Sequence, residues 1–244
     1  MERIQRDNRV KWYGIVIGIA SALLQHGIYL LGHKLADVIG IEPFLPKIPV
    51  IDDRIPLTPI FIIPYVWSYL YWAMAPMAAS KCRKEHFADY LAAYLFACLA
   101  GMLILAFAPT YMDRVAEGLY LPRSGFFARL MRFWYSLDGS EMAYNLFPSF
   151  HCLNSTVSYL AVAGRKEVPR WYRVYSLILT ILIYASTVLV KQHYVADIFG
   201  GIAVAVIAFV LCKRLHAGRI FLKAVSRFGH AGAKGEKQGA AAGK

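Results

Sequence analysis

The chain has 244 residues, of which 58% are hydrophobic and only 17% are charged, whereas a soluble domain carries about 25% charged residues. This composition argues against a soluble globular fold, and the aromatic content of 14% argues against a disordered chain. The net charge of +12 is compatible with a nucleic-acid or an anionic-lipid partner. The basic residues lie mostly between and beyond the apolar segments, which favours a membrane protein with no nucleic-acid partner.

Six apolar segments come close to the roughly 20 residues that a helix needs to cross a bilayer. They are Trp12–Leu31, Leu57–Ala79, Tyr90–Ala108, Leu146–Ala163, Tyr172–Val190 and Tyr194–Leu211. The fourth is short and contains polar residues, and the first is too long for the apolar core of a signal peptide. The pattern predicts an all-α fold, a polytopic bundle of six transmembrane helices.

The basic residues also predict the orientation, because Lys and Arg are retained on the cytoplasmic side of a membrane. With both termini in the cytoplasm, that side receives most of the 27 Lys and Arg residues. The chain then divides into a cytoplasmic N-terminus at residues 1–11, a membrane domain at residues 12–213 and a basic tail at residues 214–244. The tail is rich in Gly, Ala and Lys and is predicted to be disordered. We expect an integral protein of the cell or inner membrane.

The cysteines do not form a recognisable framework. Cys82, Cys98, Cys152 and Cys212 are scattered through or beside apolar segments, without a CxxC pair or a His-Cys cluster at zinc spacing. The sequence therefore indicates neither a disulfide scaffold nor a zinc site.

Ionisable groups occur on the extracytoplasmic side of this predicted topology. The fourth span opens with the run Phe147–His151, and the sixth opens with the run Lys191–Asp197. His193 and Asp197 are four residues apart, so on a helix they share one face and the carboxylate can accept from the imidazole. Ionisable groups at membrane depth are costly and indicate a functional site.

These residue types suit phosphoryl transfer without a metal ion. A neutral imidazole at His193 can attack phosphorus, Asp197 can fix its tautomer and stabilise the cation that forms, and His151 can protonate the leaving oxygen. Positive charge and hydrogen-bond donors must then hold the phosphoryl oxygens. The candidates for phosphate binding are Arg114, Lys191 and Ser149, with Arg123 in reserve.

Each candidate also has a structural interpretation. Arg114 can anchor the protein to headgroups, Lys191 can reach the interface from a helix end, and Ser149 can be only a helix N-cap. A single histidine such as His151 more often packs at a helix end than catalyses a reaction. The combination of His151 with His193 and a carboxylate four residues later favours catalysis.

With these motifs, the chain resembles the type 2 phosphatidic acid phosphatase superfamily, and within it the inositol phosphorylceramide synthase-like branch. The second motif of that branch is present as Pro148-Ser149-Phe150-His151, and the third as Lys191–Asp197. The runs Ile51–Pro56 and Phe61–Tyr65 are also typical of the branch. The resemblance covers roughly residues 51–201.

The resemblance implies a six-helix membrane bundle and a phosphohistidine intermediate at His193. It further implies support from Asp197, proton donation by His151, and no metal ion or other cofactor. Three residues depart from the pattern of the superfamily. They are Phe150 for the glycine of the second motif, Thr187 for the arginine of the third motif, and Val115 for the proline after the first-motif arginine.

The sequence therefore predicts an integral membrane lipid phosphate phosphatase, which hydrolyses a phosphomonoester or pyrophosphate lipid drawn from the bilayer. Two alternatives stay open. A lipid phosphotransferase of the inositol phosphorylceramide synthase-like kind would use an alcohol in place of water. A non-catalytic scaffold or lipid transporter is favoured by Thr187 but opposed by the presence of both histidines and the aspartate.

Overall fold

The computed structural model describes residues 10–119, 124–137, 141–220 and 222–223, and this part of the chain is mostly helical. Its α-helices are α1 (Trp12–Ile39), α2 (Pro49–Asp52), α3 (Ile62–Ala79), α4 (Lys84–Phe107), α5 (Phe126–Leu137), α6 (Phe150–Val162), α7 (Arg170–Leu189) and α8 (Val195–Arg214). A short 3-10 helix, Pro59–Phe61, leads into α3. Arg123, residues 1–9 and most of the predicted tail lie outside the described residues.

Five helical segments of the described chain are long and apolar enough to cross a membrane. They are Trp12–Ile39, Pro59–Ala79, Lys84–Phe107, Arg170–Leu189 and Val195–Arg214. Each coincides with one of the six predicted segments. The remaining prediction, Leu146–Ala163, corresponds to α6, which has only 13 residues. At 1.5 Å per residue, α6 is about 20 Å long, shorter than a bilayer core of about 30 Å.

The short helix α6 lies inside the bundle. Every residue from Phe150 to Ser158 is buried, and α6 packs against α3, α4, α7 and α8. Its polar side chains find partners on the surrounding helices: Trp72 Nε1 of α3 donates to Ser155 Oγ at 3.0 Å, and the Thr156 and Tyr184 hydroxyls are 2.5 Å apart. A helix surrounded on all sides can carry such groups without exposing them to lipid.

A glycine allows the start of α8 to lie directly on the start of α6. A Cβ at Gly201 would lie 2.4 Å from the Ser149 carbonyl oxygen, a distance that no side chain can adopt. The two helix starts are also joined by a backbone hydrogen bond from Ser149 N to Asp197 O at 3.0 Å. The predicted second and third motifs are therefore held side by side.

The all-α prediction needs one addition, because the described chain also contains a small antiparallel sheet. Strand β1 (Tyr111–Asp113) pairs with β2 (Met142–Tyr144), and buried Met112 faces buried Ala143. Three-residue strands bury too little apolar surface to be evident from composition. The sheet joins the two ends of the long connection between α4 and α6. Arg114, the arginine of the first motif, follows β1 in this connection.

Candidate active site

A cleft opens at the end of the bundle where α6 and α8 begin. Its volume is ≈ 100 Å³. The residues that line it are Gln25, His26, Tyr29, Tyr65, Tyr69, Asn145, Leu146, Pro148, Phe150, His151, Gln192 and His193. The two histidines of the second and third motifs thus share one cavity, with their ring centroids 6.1 Å apart.

His193 and Asp197 make the contact that their spacing predicts. His193 Nδ1 lies 3.2 Å from Asp197 Oδ2, and the carboxylate is completely buried. Because a carboxylate only accepts, Nδ1 carries the proton in the neutral ring and Nε2 keeps its lone pair. His193 precedes α8 rather than belonging to it, and Asp197 reaches back to the turn by also accepting from Tyr194 N at 2.9 Å.

His151 lies in the first turn of α6 and is held by aromatic rings. Its ring stacks on Tyr65 at 4.0 Å with an interplanar angle of 19°, and the edges of Tyr69 and Trp72 lie against it. The side chain is 8% exposed, and its Nε2 has no hydrogen-bond partner in the described structure. Three aromatic contacts fix the orientation of a ring that lines the cleft and whose Nε2 is left without a partner in the described structure.

Arg114 is completely buried immediately after β1. Its guanidinium lies 4.4 Å above the ring of Tyr135 from α5 and donates to the Tyr135 carbonyl at 3.2 Å. A second donation, from the same guanidinium to Gln192 Oε1, is 2.7 Å long. Arg114 is not among the residues that line the cleft, whereas Gln192 is. The predicted phosphate-binding arginine therefore lies behind Gln192 as seen from the cavity.

Lys191 is placed differently from the other candidates. Its ammonium donates to the Asp52 carbonyl oxygen at 2.8 Å, and the side chain is not part of the cleft lining. The Lys191 backbone has a φ of 51°, a left-handed conformation that makes the sharp turn between α7 and α8. The structure thus brings Lys191 to the loop before α3 and not to the two histidines.

Ser149 is the N-cap of α6. Its hydroxyl oxygen accepts from Cys152 N at 3.4 Å, and the side chain is completely buried. This is the structural role that its position before an apolar helix predicts. The first-turn amides of α6 point toward the same end of the bundle as His151, where they favour negative charge.

The loop before α3 holds the turn that carries His193. Asp52 accepts from Val195 N at 2.9 Å and from Ile48 N at 2.6 Å. Lys47 forms salt bridges with Asp53 at 2.7 Å and with Glu117 at 2.6 Å. The hydrogen bond to Asp53 contributes most to raising the pKa of Lys47, and that to Glu117 comes next. The raised pKa keeps Lys47 charged through neutral pH, so on the alkaline side the bridge is lost only above the ordinary pKa range of a lysine.

Tyr194 extends this anchorage to the turn itself. Its hydroxyl donates to Glu117 at 3.1 Å, and burial, followed by the nearby Glu117 charge, raises the pKa of Tyr194. The phenol therefore stays protonated and remains a hydrogen-bond donor at any physiological pH. The run Ile51–Pro56, which the family resemblance identified but gave no role, therefore positions the third motif.

Sequence reasoning missed several polar residues of the cleft, including three amides and the phenol of Tyr29. Gln25 and Tyr29 come from α1, Asn145 from the residue after β2, and Gln192 from the third motif. Gln25 is 8% exposed and interrupts a strongly apolar helix, which was a usable signal because buried amides in a membrane span need a reason. Gln192 was visible between two assigned residues, but only its contacts show its importance.

Comparison with known protein families agrees with this geometry. Residues 48–211 match the family model described as PAP2 superfamily. The matched range includes both histidine motifs, Arg114 and the loop before α3 that contains Asp52. Neither curated proteins nor solved structures gave a match. Membership in this family suggests a membrane enzyme of the phosphatase or phosphotransferase type. Because the match extends over more than half of its length, the chain belongs to the PAP2 superfamily.

Proposed function

We propose that the protein is a metal-independent lipid phosphate phosphatase that works through a phosphohistidine at His193. The observation that carries the proposal is the pair of histidines in one cleft, with ring centroids 6.1 Å apart and His193 bonded to the buried Asp197. The imidazole of His193 contacts a carboxylate, and that of His151 has a nitrogen without a hydrogen-bond partner in the part of the chain that the structure describes. Those are the needs of a nucleophile and of a proton donor, respectively.

The reaction has two halves. His193 Nε2 attacks phosphorus, so a P–N bond forms while the P–O bond to the lipid alcohol breaks, and the leaving oxygen takes the proton of His151. Asp197 stabilises the imidazolium formed at His193. Water then gives a proton to His151 and its oxygen attacks the phosphohistidine, which breaks the P–N bond and releases inorganic phosphate. Arg114 and the start of α6, with its N-cap Ser149, supply positive potential for the phosphoryl oxygens.

A lipid is the substrate class that the surroundings of the cleft favour. A groove continues from it between α1 and the end of α5 and shares His26 and Tyr29 with it. Its walls include Leu30, Leu31 and Leu137, and Lys34 lies beside them. Apolar walls next to a cation suit the chains of a phospholipid and its anionic headgroup.

The proposal includes the full topology. We propose that α6 acts with the five long helices as the sixth transmembrane element, so that both termini face the cytoplasm and the cleft is extracytoplasmic. The membrane domain then extends over residues 12–213, between the short N-terminus and the basic tail. Accessibility of cysteines introduced at residue 2 and residue 116 to a membrane-impermeant reagent tests this orientation, because only residue 116 should react in intact cells.

Transfer to an alcohol is the second candidate function, as in an inositol phosphorylceramide synthase-like enzyme. It is favoured by the uncharged polar wall of the cleft, where Gln25 and Asn145 are both buried and Asn145 Oδ1 has no hydrogen-bond partner among the described residues. An amide oxygen accepts from a hydroxyl group, whereas an unprotonated phosphoryl oxygen offers it no donor. A non-catalytic scaffold or lipid transporter has no comparable support in the cleft.

The deciding experiment measures phosphate release from a panel of lipid phosphates in detergent with excess EDTA. We expect release by the wild type, inhibition by vanadate and no release by His193→Ala. His216→Asn is the matched control, because His216 is exposed, lies beyond α8 and has a left-handed backbone that Asn tolerates. Release that depends on a metal ion, or that survives in His193→Ala, would contradict the proposal. Label transfer to an added alcohol without free phosphate would select the transferase.

A further inference from the structure

Gln192 occupies a position between the buried arginine and the cleft. Its side chain is 1% exposed, yet it lines the cavity together with His151 and His193. Gln192 Oε1 accepts from the Arg114 guanidinium at 2.7 Å. The residue therefore contacts the positive charge on one side and the reaction space on the other.

The hydrogen-bonding capacity of the two side chains fixes which way the amide points. A guanidinium has only donors, so the oxygen of Gln192 must face Arg114 and its nitrogen must face away. Gln192 Nε2 is buried and has no hydrogen-bond partner in the described structure. An unsatisfied buried N–H group is costly, and it is common where a ligand supplies the acceptor.

The other expected phosphate donors of the third motif are committed elsewhere. Thr187, at the position of the arginine typical of the superfamily, is completely buried and donates to the Tyr184 carbonyl at 2.8 Å. Lys191 donates to the Asp52 carbonyl. Within the third motif, Gln192 lines the cleft, and its amide nitrogen has no hydrogen-bond partner in the described structure.

We propose that Gln192 is a catalytic residue that donates from Nε2 to a phosphoryl oxygen, and that Arg114 acts on the phosphate through it. Arg114 is then a positioning residue, because its hydrogen bond holds the amide and polarises it, which makes Nε2–H a stronger donor. This inference rests on the proposed function and deepens it. A glutamine backed by a buried arginine takes the place of the direct arginine contact that Thr187 removes.

Two variants of nearly the same shape separate donation from positioning. Gln192→Met keeps the length of the side chain but loses both polar groups, and we expect kcat/KM to fall about 10²-fold. Gln192→Glu keeps an acceptor for Arg114 but presents an oxygen instead of a donor to the phosphoryl group, so we expect a larger loss. Activity of Gln192→Glu equal to or above that of Gln192→Met would overturn the donor role.

Binding of orthovanadate, measured by calorimetry, tests the same contact without turnover. We expect Gln192→Met to weaken vanadate binding at least tenfold. Elution volume and thermal midpoint show whether the variant is folded like the wild type. Unchanged affinity would overturn the proposal. If the variants fail to fold, a crystal structure of the wild type with vanadate decides, because Nε2 must lie within hydrogen-bond distance of a vanadate oxygen.

A double-mutant cycle tests the link to Arg114. If Arg114 acts through Gln192, the double variant Arg114→Met/Gln192→Met should lose little more kcat/KM than Gln192→Met alone, whereas multiplied losses would overturn the link. The phosphatase proposal fails separately. It fails if His193→Ala still releases phosphate, whatever the result for Gln192. The Gln192 proposal alone fails if His193→Ala is inactive but Gln192→Met binds vanadate as tightly as the wild type does.

Discussion

The start of α6 carries one buried histidine and its end contacts another, and the two histidines are in opposite situations. At the end of the helix, His86 of α4 bonds through Nε2 to the Ala161 carbonyl at 2.7 Å. At its start, His151 lines the cleft, and its Nε2 has no hydrogen-bond partner in the described structure. The last carbonyls of a helix need donors, and His86 supplies one. A buried histidine whose nitrogen is satisfied stabilises the fold, whereas one left unsatisfied beside a cavity is available for chemistry.

The largest expected effect at the cleft end follows from removing the nucleophile. His193→Ala should lower kcat for lipid phosphate hydrolysis by at least about 10³-fold, because the variant lacks the imidazole that forms the proposed covalent intermediate. Acid-labile labelling of the protein by a radioactive lipid phosphate should disappear in the same variant. Labelling that persists in His193→Ala would place the intermediate on another residue.

Removing the proton donor is the next largest effect, and its size depends on the leaving group. His151→Ala should slow release from an alkyl phosphate about 10²- to 10⁴-fold, because the leaving alkoxide needs a proton. With p-nitrophenyl phosphate, whose leaving group needs none, the loss in the first half-reaction should be much smaller. Burst kinetics measure that half-reaction, and equal losses with both substrates would contradict the role of His151.

The carboxylate behind His193 should have an intermediate effect. Asp197→Asn keeps an oxygen that can accept from Tyr194 N but removes the charge that stabilises the imidazolium. We expect kcat to fall about 10²-fold with little change in the thermal midpoint. A large loss of stability with proportionate loss of active protein would instead identify Asp197 as a capping residue alone.

The pH dependence sharpens the division of roles between the two histidines. His193 must lose its proton to attack, and His151 must keep its proton to donate, so kcat/KM should rise and then fall with increasing pH. Each limb should change about tenfold per pH unit, and the rising limb should be altered in Asp197→Asn. A profile that is flat from pH 5 to 9, while chemistry limits the rate, would contradict this assignment.

The smallest effect on activity is expected at the other end of α6. His86→Ala should leave kcat unchanged and should lower the free energy of unfolding by about 1 to 3 kcal/mol, since the Ala161 carbonyl loses its buried donor. His86→Gln, which can still donate, should recover part of that stability. Thermal unfolding in detergent measures both, and a loss of kcat in a well-folded His86→Ala protein would break the comparison.

Local patterns were enough for the features that depend on short stretches of chain. Of the six predicted spans, five are confirmed as helices long and apolar enough to cross a membrane, because a membrane helix needs a continuous run of apolar residues. The four-residue spacing predicted the contact between His193 and Asp197, and the residue type predicted the N-cap at Ser149. The same reasoning noted that the fourth segment is short and polar, but it could not show that four other helices enclose α6, because most of those helices are distant from it in sequence.

The sequence by itself determined the membrane class, the helix runs and the chemical groups of the site, because each depends on residue type and on spacings of one or two helical turns. Only the tertiary structure decided which cations and amides reach the cleft. Arg114 and Gln192 are 78 residues apart and meet because α5 packs against the turn before α8. Lys191, two residues before His193, is turned instead to the Asp52 carbonyl. The direction of a long side chain depends on partners distant in sequence, and local spacing carries no information about them.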